Sequence, residues 1–442
     1  MIKTLRGYHL VILFWGLGNA FVAPAGAWAD DAVPTRPNVL LILSDDQAWT
    51  DFGFMGHQHI ETPRIDRLAS ESLTFTRGYV PSSLCRPSLA TIITGLYPHQ
   101  HKITSNDPAL PQGPRFRQDQ QLLINHIDRV ATLPKLLGKH GYLSLQTGKW
   151  WEGHYRRGGF THGMTHGDPE RGGRHGDEGL KIGREGMAPI REFLDATQGK
   201  PFLLWYAPFL PHRPHTPPDR LVEKYQKQTD SPHVARYWAS CEWFDETCGE
   251  LLDELERRDL DQNTIVVFVV DNGWIQRPDD PGYAERSKRS PYDGGLRTPL
   301  MIRWPGHVTP ARSEIPVSTI DIAPTLWKAC DLTPPADSLG INLLSSAEVS
   351  ARHSVMGEVF LHNARDINNP LANLTYRWIV SEPWKLIVPY PDNVPDGGPE
   401  LYQLQKDPYE TTDRSKMETD VVAELRGQLD RWWPTSKPDD PR

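Results

Sequence analysis

The chain has 442 residues, of which 24% are charged, and its formal net charge is −8 at neutral pH. A chain of this length can bury one large α/β core, with or without a small second domain. Its mild acidity argues against nucleic acid as the main partner.

The first 29 residues predict a secretory signal peptide. Lys3 and Arg6 provide a charged start, an apolar stretch follows, and Ala27 and Ala29 complete an A-x-A cleavage pattern. The apolar stretch is short for a membrane span, and no later segment is long and apolar enough to cross a bilayer. We therefore expect an exported protein, periplasmic or secreted, without stable membrane insertion.

Two apolar runs, residues 38–43 and 264–270, predict strands that are buried on both faces. The polar residues that end these strands are Asp45, Asp46, Asp271 and Asn272. Because ligands of open α/β sheets gather at the carboxyl ends of strands, these oxygen-bearing side chains predict a site for Ca²⁺ or Mg²⁺. For any single Asp, N-capping or turn formation stays open.

A lone cysteine stands where a helix can begin. Cys85 precedes Arg86 and Pro87, and proline is tolerated in the first turn of a helix. A cysteine at a helix N-terminus lies in a positive field that suits an anion and reactive sulfur chemistry. The alternative is a small buried apolar residue.

The other cysteines predict no disulfide framework, although export would permit one. Cys241 and Cys248 lie two turns apart on one predicted helix, about 10 Å along its axis. That separation is too great for a bridge, and Cys330 has no obvious mate. We therefore expect Cys85 to be free for chemistry.

Alternation of strands and helices predicts an α/β sandwich with a large, mostly parallel sheet between helices. Short strands from about residue 354, followed by a helix near residues 421–432, predict a small C-terminal antiparallel sheet with a closing helix. The expected organisation is a signal peptide (1–29), a catalytic α/β domain (30–353) and a C-terminal subdomain (354–442). Residues 153–183, rich in Gly, His and Arg, predict a long loop that either binds an anionic oligosaccharide or is a surface loop.

From about residue 36 to residue 412, the chain resembles the formylglycine-dependent sulfatases of the alkaline-phosphatase-like superfamily. The matching segments are 37–46, 62–69, 85–88, 94–98, 148–150, 211–214, 271–273, and Lys288 with 292–299. Each segment is weak alone, but their fixed order across most of the chain is specific.

The resemblance implies a calcium-dependent sulfatase that acts on a sulfated carbohydrate or an aryl sulfate. A separate maturation enzyme would oxidise Cys85 to formylglycine, whose hydrate attacks the sulfur of the ester. The implied ligands of one Ca²⁺ are Asp45, Asp46, Cys85, Asp271 and Asn272. Lys149 and Lys288 would clamp the sulfate, and His212 would protonate the leaving alcohol. Taken alone, the lysines could be surface residues and His212 an ordinary loop residue.

Two positions depart from the family pattern, because Leu89 stands where Arg is usual and Trp151 where His is usual. In the family, both missing groups attend the second hydroxyl of the formylglycine diol. Arg86 lies one helical turn before Leu89, and we hypothesise that Arg86 and one histidine replace the lost pair. The candidate histidines are His99, His101 and His154.

Three alternatives stay open at this stage. Cys85 could remain an unmodified thiol, since the usual Arg is missing. The chain could be a phosphate mono- or diester hydrolase of the same superfamily, although the Asp- and Asn-rich ligand set argues against the His-bound zinc of such enzymes. It could also be a non-catalytic derivative that binds sulfated glycans, a hypothesis motivated by Leu89 and Trp151.

Overall fold

The computed structural model describes residues 36–167 and 178–435, and the predicted signal peptide lies outside these residues. The strands are β1 (Asn38–Ser44), β2 (Leu73–Tyr79), β3 (Asp107–Pro108), β4 (Leu143–Gly148), β5 (His162–Gly163), β6 (Phe202–Ala207), β7 (Thr264–Val270), β8 (Arg297–Arg303), β9 (Ala311–Ser313), β10 (Val317–Ser318), β11 (Val355–Phe360), β12 (Asn363–Ala364), β13 (Leu374–Ser381), β14 (Trp384–Pro389) and β15 (Glu400–Gln403). The α-helices are α1 (Pro63–Ser70), α2 (Cys85–Thr94), α3 (Pro98–His101), α4 (Pro114–Ile124), α5 (Leu133–Gly138), α6 (Ala188–Ala196), α7 (Asp219–Tyr225), α8 (Pro232–Arg257), α9 (Asp293–Leu296), α10 (Ile322–Ala329), α11 (Ser346–Ser350), α12 (Pro370–Asn373) and α13 (Thr419–Trp432).

Within the described residues, nine strands form the main sheet, in the order β10-β2-β8-β7-β1-β6-β4-β5, with β9 beside β2. Strand β1 pairs in parallel with β7 on one side and β6 on the other, and all residues of β1 and β7 are buried. Only β8 runs antiparallel to its neighbours, β7 and β2. The predicted mostly parallel sheet is therefore confirmed.

Helices cover both faces of this sheet. Successive residues of a strand point to opposite sides, so the apolar side chains of one strand contribute to two separate cores. Val39, Leu41 and Leu43 of β1 pack into one core with residues of α2, α5 and α10. Leu40 and Ile42 pack into the other core with residues of α1, α6 and α8. The α/β sandwich predicted from the sequence is confirmed.

A second, antiparallel sheet has the order β11-β13-β14-β15. Helix α13 closes one face of it, where Leu425 and Leu429 pack against residues of β13 to β15. On the other face, Trp378 and its neighbours pack against Tyr79 and Leu296 of the main sheet region. This is the small sheet with a closing helix that the sequence predicted; the boundary between residues 353 and 354 stays a prediction.

The predicted long loop, the cysteines and the length of the helices can each be compared with the sequence-based expectations. The described part of residues 153–183 is not one featureless loop, since it contains β5 and the short 3₁₀ helices Tyr155–Gly158 and Glu178–Lys181. All four cysteines are buried and free, as expected. Among the described helices, none combines the length and apolar character needed to cross a membrane.

Candidate active site and metal centre

The register of the two central strands brings the predicted acidic residues together. Ser44 pairs with Val270, so that the residues following β1 and β7 leave the sheet side by side. The backbone N–H of Asp46 donates to Oδ1 of Asp271 at 3.1 Å, and Nδ2 of Asn272 donates to Oδ1 of Asp46 at 2.6 Å. Asp45, Asp46, Asp271 and Asn272 are all at least 98% buried.

The backbone of Asp46 is in the left-handed region, with φ +62°. This conformation is uncommon for a residue with a Cβ and costs free energy, and such residues cluster at functional sites. Here it turns the chain at the end of β1, so that the Asp46 carboxylate lies beside Lys288 and beside Cys85, the first residue of α2.

Cys85 is the first residue of α2, as the sequence predicted. Its Sγ lies 3.1 Å from Nζ of Lys288 and 3.9 Å from Oδ1 of Asp46. Burial raises the pKa of the Cys85 thiol to about 12, although the charges of Lys149 and Lys288 oppose this rise. The unmodified thiol is therefore protonated at neutral pH, and the helix N-terminus does not turn it into a reactive thiolate.

Two buried lysines pair with the carboxylates around Cys85. Nζ of Lys149 donates to Oδ1 of Asp45 at 2.7 Å and lies 3.5 Å from Oδ2 of Asp271. Nζ of Lys288 donates to both carboxylate oxygens of Asp46, at 2.6 and 2.7 Å. Burial lowers the pKa of each lysine, but the neighbouring carboxylates outweigh it and hold both pKa values above the ordinary range. Both side chains are therefore cationic.

Gly148 places Lys149 at the end of β4. Its φ is +69°, and a Cβ at this position would lie 1.7 Å from the carbonyl oxygen of Ala207. The N–H of Lys149 donates to that same carbonyl at 2.7 Å. Only glycine permits this turn and this approach, which direct the lysine side chain to Asp45.

His212 lies in the proline-rich loop that follows β6. Its Nε2 is 3.3 Å from Oδ2 of Asp46, and its Nδ1 donates to the carbonyl oxygen of Arg213 at 2.5 Å. The ring stacks on Phe209, with centroids 4.2 Å apart. Desolvation lowers the pKa of His212, while the negative charge of Asp46 opposes this. The ring is thus oriented with Nε2 toward the carboxylates.

Three oxygen atoms at this site are buried and have no hydrogen-bond partner among the described residues: Oδ2 of Asp45, Oδ2 of Asp271 and Oδ1 of Asn272. A buried oxygen that accepts no hydrogen bond is costly unless a cation binds it, and Lys149 approaches one of the three, Oδ2 of Asp271, only to 3.5 Å. Ligand atoms of Asp45, Asp46, Cys85 and His212 all lie within 4.8 Å of one another. Burial, the largest cause, and nearby carboxylates raise the pKa values of Asp45 and Asp271. The buried oxygens of Asp45, Asp46, Asp271 and Asn272 fit a hard divalent cation, which would neutralise the repulsion between the three carboxylates.

The structure places the proposed replacements for the missing Arg and His away from these contacts. The guanidinium of Arg86 donates to Glu152 and to the carbonyl oxygen of Asn106, and its described hydrogen bonds do not include Cys85. Nδ1 of His99 pairs with Glu358, and His101 lies against Thr91. His154 packs against His166. Their direct participation in catalysis stays a hypothesis that these contacts do not support.

A cavity of about 370 Å³ opens beside Cys85. It contains the predicted residues His212 and Lys288, and Trp151 lines it where the family usually has His. The lining residues that sequence reasoning missed are Asn106, Arg213, Trp274, Tyr283, Arg289 and His362. Arg213 and Arg289 directly follow the predicted site residues His212 and Lys288, and this adjacency could have indicated that they lie near the site. Asn106 and His362 meet only because β3 pairs with β12.

Comparison with protein families gives two matches. Residues 37–332 match the Sulfatase family model, and residues 283–433 match the model of the N-sulphoglucosamine sulphohydrolase C-terminal region. Human N-acetylgalactosamine-6-sulfatase is 32% identical over 357 residues, an alignment that covers 70% of this chain but 66% of that protein. The N-acetylgalactosamine-6-O-sulfatase of Bacteroides thetaiotaomicron is 23% identical over 509 residues, covering 89% of this chain and 93% of that protein.

Solved structures share the fold. A protein named Ps i-CgsB, crystallised with k-i-k-neocarrahexaose, matches with a TM-score of 0.72 and 22% identity, covering 92% of this chain and 94% of that one. A second structure, in complex with its substrate D-glucosamine-2-N,6-O-disulfate, matches with a TM-score of 0.71 and 19% identity, covering 92% of this chain and 100% of that one.

Proposed function

The chain belongs to the sulfatase family, and on that basis we propose that it is an exported, calcium-dependent sulfatase that hydrolyses sulfate esters of carbohydrates or aryl alcohols. The observation that carries the proposal is the arrangement around Cys85. Lys288 and Asp46 contact the first residue of α2, and Lys149, Asp45, Asp271 and Asn272 join them through ion pairs and hydrogen bonds. Three oxygens of this group lack hydrogen-bond partners among the described residues.

We assign the metal ligands from the donor set. Asp45, Asp46, Asp271 and Asn272, with residue 85, would hold one Ca²⁺, because these side chains offer buried oxygens that a hard cation prefers. Formylglycine made from Cys85 would supply the attacking hydroxyl, and the bound cation would neutralise charge on the sulfate. A formylglycine-generating maturation enzyme is the partner that this proposal requires.

The remaining residues have roles that follow from their positions. Lys149 and Lys288 are cations held beside residue 85, where they can stabilise charge that develops on the sulfate oxygens. Nδ1 of His212 is bound to a carbonyl, so its Nε2 is the atom that can deliver a proton to the leaving alcohol. The anionic ester would add negative charge beside the ring and so favour the protonated form.

Sulfated carbohydrates are the favoured substrates. The human and Bacteroides relatives are named for sulfated N-acetylgalactosamine, and a structural relative was crystallised with a sulfated glucosamine. The cavity beside Cys85 is lined by Trp151, Trp274 and Tyr283, and aromatic rings of this kind stack on the apolar faces of sugars.

One observation favours a second candidate, a non-catalytic protein that binds sulfated glycans. Leu89 packs in the apolar core and Trp151 lines the cavity, so neither position offers the polar group usual in the family. Such a protein would retain Cys85 as a thiol, whose raised pKa makes it a poor nucleophile.

Mass spectrometry and an activity assay on one preparation separate these candidates. The protein, co-expressed with a maturation enzyme, should yield a Cys85 peptide about 18 Da lighter than the thiol form. It should release sulfate from N-acetylgalactosamine 6-sulfate or 4-nitrophenyl sulfate in the presence of Ca²⁺, and a Cys85→Ala variant should not. An intact thiol with glycan binding but no sulfate release would establish the second candidate. Faster release of phosphate than of sulfate from the matched esters would instead indicate a phosphoesterase.

A further inference from the structure

Positive charge in the cavity beside Cys85 is divided between an inner and an outer part. The inner cation, Lys288, is buried and pairs with Asp46. The outer cations, Arg213 and Arg289, are exposed, and among the described residues neither forms an ion pair with a carboxylate. The outer part of the cavity therefore presents two uncompensated guanidinium groups.

The backbone of Arg289 is fixed relative to the start of α2. Its N–H donates to the carbonyl oxygen of Ser83 at 2.8 Å, and Oγ of Ser83 donates to the carbonyl oxygen of Ser290 at 2.7 Å. The backbone of Arg289 has φ +67°, a left-handed conformation that is costly for a residue with a side chain. These contacts tie the backbone of Arg289 to the segment just before α2, and Nη1 of its guanidinium donates to the hydroxyl of Tyr283, another cavity residue, at 3.4 Å.

Arg213 is linked to the inner part of the cavity through Trp274. The guanidinium of Arg213 lies 5.9 Å from the centroid of the Trp274 ring, and Nζ of Lys288 lies 5.7 Å from the same centroid. One ring thus has an inner cation and an outer cation as neighbours. Arg213 is therefore at most about 12 Å from Lys288, a separation that the length of a disaccharide can span.

We propose that Arg213 and Arg289, which line the same cavity, provide a second anion subsite, and that the substrate is a sulfated glycan with another anionic group near the scissile sulfate. The second group is a sulfate or a uronic-acid carboxylate, since guanidinium groups bind both through paired hydrogen bonds. The inference rests on the proposed sulfatase function, of which it specifies the substrate class.

The test compares three substrates: N-acetylgalactosamine 6-sulfate, N-acetylgalactosamine 4,6-disulfate, and a disaccharide in which glucuronate is joined to N-acetylgalactosamine 6-sulfate. At low salt, kcat/KM for at least one doubly anionic substrate should exceed that for the singly anionic one by about tenfold or more. The preference should shrink at high salt. The variants Arg213→Gln and Arg289→Gln should each reduce this ratio, and the double variant should abolish it.

Arg117→Gln, which removes an exposed arginine of α4 outside the cavity lining, is the matched control and should leave the ratio unchanged. A preference for the disulfate alone, or for the glucuronate alone, identifies the second group. Equal kcat/KM for all three substrates, or a preference that persists in the double variant, would overturn the subsite.

Calorimetric titration of the Cys85→Ala protein with the same three sugars tests the subsite without catalysis. Tighter binding of a doubly anionic sugar, lost in the Arg213→Gln/Arg289→Gln background, supports the subsite even if wild-type protein releases no sulfate. In that case the proposed hydrolysis fails and the subsite stands. Equal affinities for the three sugars would overturn the subsite whatever the activity.

Discussion

Arg86 and Glu152 form a buried ion pair in which Nε of the guanidinium donates to Oε1 at 2.8 Å and Nη2 donates to Oε2 at 2.7 Å. Arg86 directly follows Cys85, whereas Glu152 lies in the segment that carries Lys149 after β4. The pair therefore fastens the start of α2 to that segment. Nη1 of Arg86 also donates to the carbonyl oxygen of Asn106 at 2.9 Å, so the guanidinium connects three segments that surround Cys85.

We predict that removing one member of this pair destabilises the protein strongly. Arg86→Ala or Glu152→Ala should lower the free energy of unfolding by about 3–5 kcal/mol, because each leaves a buried charge without a partner. The double variant Arg86→Met/Glu152→Leu should be less damaging than either single one. Urea unfolding measures these differences, and Arg220→Ala, in an exposed pair with Glu246, should cost about 1 kcal/mol or less.

The same variants test the hypothesis that Arg86 takes part in catalysis. If Arg86→Ala protein that remains folded releases sulfate at the normal rate, Arg86 has no direct role beside residue 85. A large loss of kcat with an unchanged KM in a folded variant would support the original hypothesis.

We predict that Asp271→Asn abolishes stabilisation by Ca²⁺ without destabilising the metal-free protein. An amide oxygen can still accept the N–H of Asp46, while burial and the neighbouring Asp46, opposed by Lys149, already make the negative charge of Asp271 unfavourable and raise its pKa. Wild-type protein should gain about 2.7 kcal/mol at a Ca²⁺ concentration one hundred times the Kd. Thermal unfolding with Ca²⁺ or a chelator measures this, and a wild-type response in Asp271→Asn would remove Asp271 from the ligand set.

We predict that Lys149→Met and Lys288→Met each lower kcat/KM for sulfate ester hydrolysis by about 10²–10³-fold, because each removes a fixed cation from the place where we propose that the sulfate binds. Lys385→Met is the matched control. Lys385 is a buried lysine paired with Asp293 and Glu410, both at 2.7 Å, and it lies outside the cavity. That variant should lose stability but, where folded, keep its kcat/KM. A similar loss in all three would point to a general folding defect.

The pH dependence of stability should carry a contribution from Asp245. This residue of α8 accepts N–H groups from Arg64 and Ile65 at the start of α1, and burial raises its pKa to about 7. A carboxyl group whose pKa is higher in the folded state binds its proton more tightly there. Its contribution is therefore full below the unfolded pKa and declines as the pH rises through the folded pKa.

Between about pH 4 and 7, this group should lower the free energy of unfolding by at most about 1.4 kcal/mol per pH unit. Asp245→Asn cannot titrate and should remove that slope. Urea unfolding of both proteins at a series of pH values measures the difference. Identical slopes in the two proteins would contradict the prediction.

We predict that Gly148→Ala is among the more damaging single-methyl changes in the protein. The added Cβ would meet the carbonyl oxygen of Ala207, and the left-handed backbone is unfavourable for alanine. The variant should lose more than about 1 kcal/mol and, because Lys149 follows directly, also lose activity. Gly141→Ala is the control, since φ is +86° there but no atom lies within 4 Å of the added Cβ. Gly141→Ala should lose stability but keep its activity.

The sequence by itself determined the central strands and which polar side chains follow them at the sheet edge. Apolar runs such as Thr264–Val270 can be read as buried strands, and the acidic residues that end them necessarily meet at one sheet edge once the strands are parallel neighbours. The helix beginning at Cys85 followed from the proline two residues later. These features depend on local order in the chain, which a single sequence displays.

Tertiary structure alone decided the partners of Arg86 and the outer wall of the cavity. Glu152 and Asn106 lie 66 and 20 residues from Arg86, and His362 reaches the cavity through the pairing of β12 with β3. The sequence could suggest that Arg86 replaces a missing catalytic group, because helical spacing shows which residues are neighbours on one element. It could not show that a carboxylate from another element neutralises the guanidinium, since such contacts depend on how separate elements pack.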